Sequence, residues 1–190
     1  MLVLQFFLVM GLVVHKLVWE VLKRRDTRPQ PDPTPPSPAT RLVKWFKMAV
    51  LAGIILQTLF LPNFPPILAN PLPLQVVGTL LYLAGLGVAI AGRLNLGDNW
   101  VDLEDYQVIP EQSLVTRGVY QYIRHPIYGG DILLLLGLEL ALNSWLVLGI
   151  IPLTAVVFRQ AKAEEKVLSR AFPGYAAYQQ RTKMLIPFVL

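Results

Sequence analysis

Cysteine is absent from the 190 residues, and histidine occurs only at His15 and His125. Disulfides, thiol chemistry and metal sites built on cysteine or clustered histidine are therefore excluded. Charge is sparse. Asp, Glu, Lys and Arg make up 15% of the chain, against about 25% in an ordinary soluble domain. No strand, glycine-rich turn and helix follow one another in the way that builds a soluble dinucleotide site. No internal repeat is evident. Between Lys47 and Arg93 there is no charged residue at all. The first 22 residues lack the positive start and small-residue cleavage site of a signal peptide, and their positive charge follows the apolar run instead.

What is there in excess is apolar surface. Hydrophobic residues make up 54% of the chain, and mean hydropathy is +0.51. They gather into long runs, which predicts a multi-span membrane protein. A net charge of +5 would suit nucleic acid, but the basic residues sit at the ends of apolar runs, where the positive-inside rule puts them. Residues 1–22 read as a first span, with His15, Lys16 and Trp19 as interfacial side chains and Glu20 one turn from Lys16 as its partner. Residues 23–41 read as a basic, proline-rich linker that sets topology; contact with anionic headgroups is its functional alternative. Residues 42–93 read as a transmembrane hairpin of spans 42–61 and 74–92, with Gly78, Gly85 and Gly87 allowing close helix approach.

The uncharged hairpin tip points away from the positive side. This puts 23–41 and everything after Arg93 on the cytoplasmic face, with the N-terminus outside. Arg93 to Arg124 reads as a cap folded on that face, with Asp102, Glu104 and Asp105 as solvated surface. Residues 127–142 and 144–158 are each shorter than the roughly 20 residues of a straight span. They read as a tight helical hairpin with Asn143 and Ser144 at its tip. Residues 159–181 read as a charged helix broken at Pro173-Gly174, with an apolar stripe at Val167, Leu168, Ala171 and Phe172. The expected fold class is all-α integral membrane, with about five transmembrane helices, the last two a short helical hairpin, a cytoplasmic cap and a C-terminal helix. Residues 94–190 form the functional region.

One stretch carries most of the chemistry. Gly118 to Gly130, GVYQYIRHPIYGG, packs three tyrosines, an arginine and a histidine at the mouth of an apolar run. Ionisable groups at membrane depth point to function. Hairpin geometry brings Val115–Tyr128 and Arg159–Tyr178 to one membrane face. It assembles Tyr120, Tyr122, Arg124, His125 and Tyr128 with Arg159, Lys162, Glu164 and Glu165. Tyrosine faces suit an adenine or a sulfonium cation. Carboxylates suit an amino group or ribose hydroxyls, and His and Arg suit a carboxylate. S-adenosylmethionine bears all of these features; an ion-paired structural collar is the other reading of the same residues. Asp131, near the mouth, can face the pocket, while Glu139, near the tip, can reach interfacial water.

The ordered set LVTRGVYQYIRHPIYGG, a short hairpin, FRQAKAEEKVLSRAFPGYAAYQQR and LIP resembles the isoprenylcysteine carboxyl methyltransferase family of membrane methyltransferases and the related phospholipid N-methyltransferases. The resemblance covers residues 94–187. It implies a multi-span helical fold that encloses S-adenosylmethionine at the cytoplasmic face, with a lipid-side tunnel for a greasy substrate. Carried over by motif, it implies cofactor contacts at Gln107, Gln112, Ser113, Leu114, Val115, Tyr120, His125, Pro126, Ile127, Tyr128 and Glu164, with Arg124, Asp131 and Glu165 as accessory residues. The family's substrate-contacting arginine stands four residues before the cofactor glutamate. Here that place is Gln160, and Arg159 takes the role by charge type. Two further departures are the shortened Phe172-Pro173-Gly174-Tyr175 and Asp131 after the RHPxYGG turn, which points to a different substrate headgroup.

The resemblance implies methyl transfer from S-adenosylmethionine to a lipophilic, membrane-embedded acceptor. A prenylcysteine-like carboxylate comes first, and a phospholipid or small amine second. With an amine, Asp131 or Glu165 would accept the proton. Two readings come from other classes. One is an NADPH-dependent relative of the sterol reductases, which end in a similar RHPxY hairpin; the other is a non-enzymatic membrane scaffold. The expected partners are membrane lipids and the acceptor, with neither nucleic acid nor metal. The expected setting is a bacterial plasma membrane or an ER-type membrane, with the active site on the cytoplasmic face.

Overall fold

A computed structural model describes residues 1–25, 38–60, 66–100 and 112–186. Gln107 and the acidic residues Asp102, Glu104 and Asp105 lie outside the described residues. The described residues form six α-helices, namely α1 (Leu2–Arg25), α2 (Pro38–Phe60), α3 (Leu72–Leu96), α4 (Pro126–Ala141), α5 (Ile150–Ala171) and α6 (Tyr175–Arg181). Extended pairing among them is confined to two isolated bridges, Pro66 with Ser144 and Ile123 with Lys183. Among the described residues, three stretches are long and apolar enough to cross a membrane: Leu2–Arg25, Leu72–Asn99 and Trp145–Ala171. Trp45–Phe60 is a shorter apolar helix. Large apolar side chains such as Phe6, Leu80, Ile151 and Val156 face outward. On an integral membrane protein that surface meets lipid.

The chain divides into two compact units, Met1–Phe64 and Pro65–Leu190. In the first, α1 and α2 pack together. Buried Gln5 donates from Nε2 to the carbonyls of Thr58 and Leu59, both at 2.9 Å. These carbonyls belong to the last turn of α2, where no intrahelical donor remains. His15 and Trp19 stack at 4.0 Å between ring centroids. Glu20, expected to pair with Lys16, accepts a hydrogen bond from Arg24 Nε at 2.9 Å.

In the second unit, α3 lies against α4 along almost its full length. Gly78, Gly85 and Gly92 recur every seventh residue on α3, and Gly130 and Gly137 do so on α4. A seven-residue spacing keeps them on one seam. A Cβ on Gly85 would stand 2.7 Å from Gly130 O and closer still to Leu134 N; one on Gly137 would stand 2.6 Å from Gly78 O. The two backbones therefore touch. Small residues permit this close approach between helices in lipid, where dispersion replaces the hydrophobic effect. Gly87 was expected on this seam with Gly78 and Gly85. It faces open space instead, because two residues beyond Gly85 is more than half a turn away.

α4 opens with Pro126 at its first position, which suits a residue that lacks an N–H. Its 16 residues rise only about 24 Å. Asn143 ends it in a left-handed turn at φ 53°. Its buried side chain exchanges hydrogen bonds with the backbone of Leu68 at 2.8 and 3.0 Å, so the hairpin tip is fastened to the segment before α3. The last span was expected to stop near Phe158, with a separate charged helix following. The structure has a 3-10 turn at Trp145–Gly149 and then one continuous helix, α5, through Ala171. The sequence changes polarity at Arg159 but holds no breaker there, since Gln, Ala, Lys and Glu all favour helix. α5 ends before Pro173, as expected.

Candidate functional site

α3 continues into a short 3-10 turn, Gly97–Asn99. Arg93 donates from Nη1 to Gly97 O at 2.8 Å and lies 5.1 Å over the Trp100 ring. Asn99 then reaches across to residue 113. Its Oδ1 accepts from Ser113 N at 2.7 Å and from Ser113 Oγ at 3.1 Å, while its carbonyl accepts from Gln112 Nε2 at 3.2 Å. Asn95, one turn earlier, accepts from Val119 N at 2.9 Å. Gly118 stands beside it at φ +62°, a conformation glycine adopts freely. Two asparagines on the end of α3 thus position the chain from 112 to 119.

The following turn is pinned from the C-terminal side. Arg124 N donates to Lys183 O at 2.8 Å, His125 N to Met184 O at 3.0 Å, and Lys183 N to Tyr122 O at 3.1 Å. Residues 182–185 therefore form a strap across residues 122–125. A Cβ on Gly129 would come within 2.8 Å of Leu185 O, so the strap also needs glycine at the start of α4.

Adjacent glutamates on α5 do different work, because neighbouring helical residues point about 100° apart. Buried Glu165 faces inward. It accepts from Arg124 Nε and from Gln179 Nε2 at 3.0 Å, and His125 Nε2 lies 3.3 Å from it. Arg124 also donates to the Thr182 carbonyl. Its guanidinium is thus held on several sides, with no freedom to seek a ligand. Glu164 is partly exposed and accepts from Tyr128 OH at 2.9 Å. His125 Nδ1 lies 3.7 Å from the same oxygen, and the His125 and Tyr128 rings stack nearly parallel at 5.3 Å.

These pieces border one cleft, part of it open to solvent. Of the residues expected from sequence, Gln112, Ser113, Leu114, Val115, Tyr120, Arg124, His125, Ile127, Tyr128 and Glu164 line it. Pro126 is buried behind this wall, and Glu165 supports it from within. Asp131 is half-buried on α4 and is not among the lining residues. Arg159, Lys162 and Tyr122 are exposed and also absent from the lining.

The sequence reading missed Leu96, Asn99, Trp100, Leu168, Phe172, Tyr175 and Tyr178, which complete the wall. The signal for the last four was present: Leu168 and Phe172 belong to the apolar stripe that ends α5. Tyr178 donates to Tyr120 O at 2.7 Å, and burial pushes its hydroxyl up to about 12. Burial likewise raises Tyr120 and Tyr175, so all three remain neutral hydroxyls at physiological pH. Tyr175 is almost fully buried, and its hydroxyl has no hydrogen-bond partner among the described residues.

The family model described as phospholipid methyltransferase matches residues 74–174. The cobalt-zinc-cadmium resistance protein CzcN of Cupriavidus metallidurans is 34% identical over 110 residues, which cover 57% of this chain and 49% of CzcN. The protein-S-isoprenylcysteine O-methyltransferase of Xenopus laevis is 27% identical over 119 residues, covering 61% of this chain and 41% of that enzyme. This chain thus spans about half the length, or less, of the curated relatives it matches. The solved structure of the eukaryotic intramembrane Ras methyltransferase ICMT superposes with a TM-score of 0.59 at 24% identity. The superposition covers 79% of this chain and 53% of that one, and it shows a shared fold.

Proposed function

The chain belongs to the phospholipid methyltransferase family, and from that premise we propose that it transfers a methyl group from S-adenosylmethionine to a lipophilic acceptor held in the membrane. The observation that carries this reading is Glu164, a half-exposed carboxylate fixed by the Tyr128 hydroxyl and set among aromatic walls. Those residues fit the cofactor. The faces of Trp100, Tyr120, Tyr128 and Phe172 suit an adenine and a sulfonium. The second oxygen of Glu164 suits an amino group or ribose hydroxyls.

When bound, S-adenosylmethionine supplies a methyl group already activated on a sulfonium. The residues of the chain therefore need to align, dehydrate and place charge. Such alignment can contribute up to about 7 to 11 kcal/mol. Tyr128 holds Glu164 in one rotamer. Glu165 clamps Arg124 and His125, and the 182–185 strap fixes their backbone, so the wall is formed before the ligand arrives. Trp100, Leu168 and Phe172 exclude water on the apolar side.

The sequence favours a prenylcysteine-like carboxylate as acceptor. One observation favours the second reading, an amine such as a phospholipid headgroup. A carboxylate acceptor wants a cation to hold it. Arg159 is exposed and off the cleft, and Arg124, the cation on the described lining, is engaged by Glu165. The test is thermal stabilisation of the detergent-purified protein by S-adenosylmethionine, S-adenosylhomocysteine and NADPH in parallel, followed by methylation assays on both acceptor types. A ligand at 100 times its dissociation constant adds about 2.7 kcal/mol. Stabilisation by the first two is expected. Stabilisation by NADPH alone would move the reading to a reductase, and none at all would favour the scaffold.

A further inference from the structure

The outer face of α5 changes character at one point. From Ile151 to Val156 its exposed side chains are apolar. From Arg159 onward four of them are basic, namely Arg159, Lys162, Lys166 and Arg170. At about 100° per residue these four fall within an arc of about 80°. They extend over about 16 Å of helix axis. The carboxylates of the same turns point away from the stripe, Glu164 about 160° from its centre toward the cleft and Glu165 about 100° from it toward Arg124. One helix thus keeps its anions inward and its cations outward.

We propose that this stripe is a docking surface for the anionic headgroups of membrane phospholipids. The apolar part of the same face marks where lipid tails lie, so the cations that follow it meet the headgroup layer. Lys162 shows the geometry directly. Its ammonium lies 4.6 Å over the ring of Phe158, one turn nearer the apolar part, so the side chain folds back toward the membrane. The charge pattern suits phosphodiester anions and opposes cationic surfaces, and each basic side chain near an anionic leaflet strengthens the attraction. The inference holds whichever acceptor the cleft methylates.

The test uses the full chain in phosphatidylcholine proteoliposomes carrying a trace of spin-labelled phosphatidylglycerol or phosphatidylcholine. The motionally restricted fraction reports association with the protein surface. Phosphatidylglycerol is expected to associate about threefold or more over phosphatidylcholine. The preference is expected to fall by about half or more in Lys162→Gln/Lys166→Gln/Arg170→Gln and to survive in Lys162→Arg/Lys166→Arg. Arg159 is left in place, so the measurement does not depend on the substrate-positioning role that the resemblance implies for it. Equal association of the two lipids with the parent protein overturns the proposal. So does unchanged selectivity in the glutamine variant, or loss of selectivity in the arginine one. Competition by millimolar inorganic phosphate would identify a free-anion site instead and would also overturn it.

Discussion

Replacing Gly85 with alanine isolates what the α3–α4 seam contributes. The new Cβ would lie 2.7 Å from Gly130 O, with Leu134 N closer still. Both neighbours are backbone, so no side chain can rotate aside. Restoring ordinary contact requires the helices to part by about 1 Å. Overpacking of this kind costs about 1 to 3 kcal/mol, and more where the obstacle is rigid. Alanine returns about 1 kcal/mol of helix propensity. Gly87→Ala supplies the control, because its Cβ meets nothing within 4 Å and only the propensity gain of up to about 1 kcal/mol remains. The propensity gain is common to both, so the two variants should differ by the overpacking cost, about 1 to 3 kcal/mol or more, with Gly85→Ala the weaker. Thermal unfolding in mild detergent, with helicity as the readout, measures the difference. Because α4 begins at Pro126, beside His125, parting the seam also displaces the cleft wall, and ligand affinity should fall with stability in Gly85→Ala alone. Equal unfolding midpoints for the two variants would refute the contact between backbones.

Other outcomes follow from the cleft. His125→Ala and Glu164→Ala should each weaken binding of S-adenosylhomocysteine by about tenfold or more, the loss expected for a charge-assisted hydrogen bond; calorimetry showing unchanged affinity in both folded variants would remove them from the site. Tyr175→Phe deletes a buried hydroxyl that has no partner among the described residues and should leave stability unchanged or raise it by up to about 1 to 3 kcal/mol; a fall in ligand affinity would show that the hydroxyl finds its partner on the ligand. Alkaline titration should destabilise the fold from about pH 10, where unfolded tyrosines ionise. Tyr178 keeps its proton up to about 12 when folded, so between those values the unfolded state binds fewer protons and stability falls as pH rises. Tyr178→Phe should make that decline shallower, and an unaltered slope would count against the raised hydroxyl.

The long apolar helices were legible because apolar runs report lipid directly. The glycine seam was half legible. Gly78 and Gly85 were read correctly, but Gly87 was taken for a partner where the seven-residue period selects Gly92. The boundary between the last span and the charged segment at Arg159 is no break in α5, because a change of polarity is not a change of conformation, and only Pro173 ends the helix. Ten of the cleft-lining residues were visible in sequence, through the LVTRGVYQYIRHPIYGG stretch, the two residues before it and the EE pair. The wall formed by Leu96, Asn99 and Trp100 was not, since it depends on α3 ending beside residue 113, a meeting no local pattern encodes. Glu164 and Glu165 look alike in sequence. Only the rotation of α5 separates one that faces the cleft from one that grips Arg124.

The strap at 182–185 bears on how the protein is made. The turn at Arg124 and His125 is complete only when Lys183 and Met184 lie beside it. Some 60 residues separate the two segments. At ribosomal speeds of about 5 to 20 residues per second, the turn waits about 3 to 12 s for its partner. During that interval α4 and the start of α5 have already been handed to the membrane. Insertion therefore precedes assembly of the cleft, and a chain stalled in this window would be anchored in the bilayer with an unfinished site.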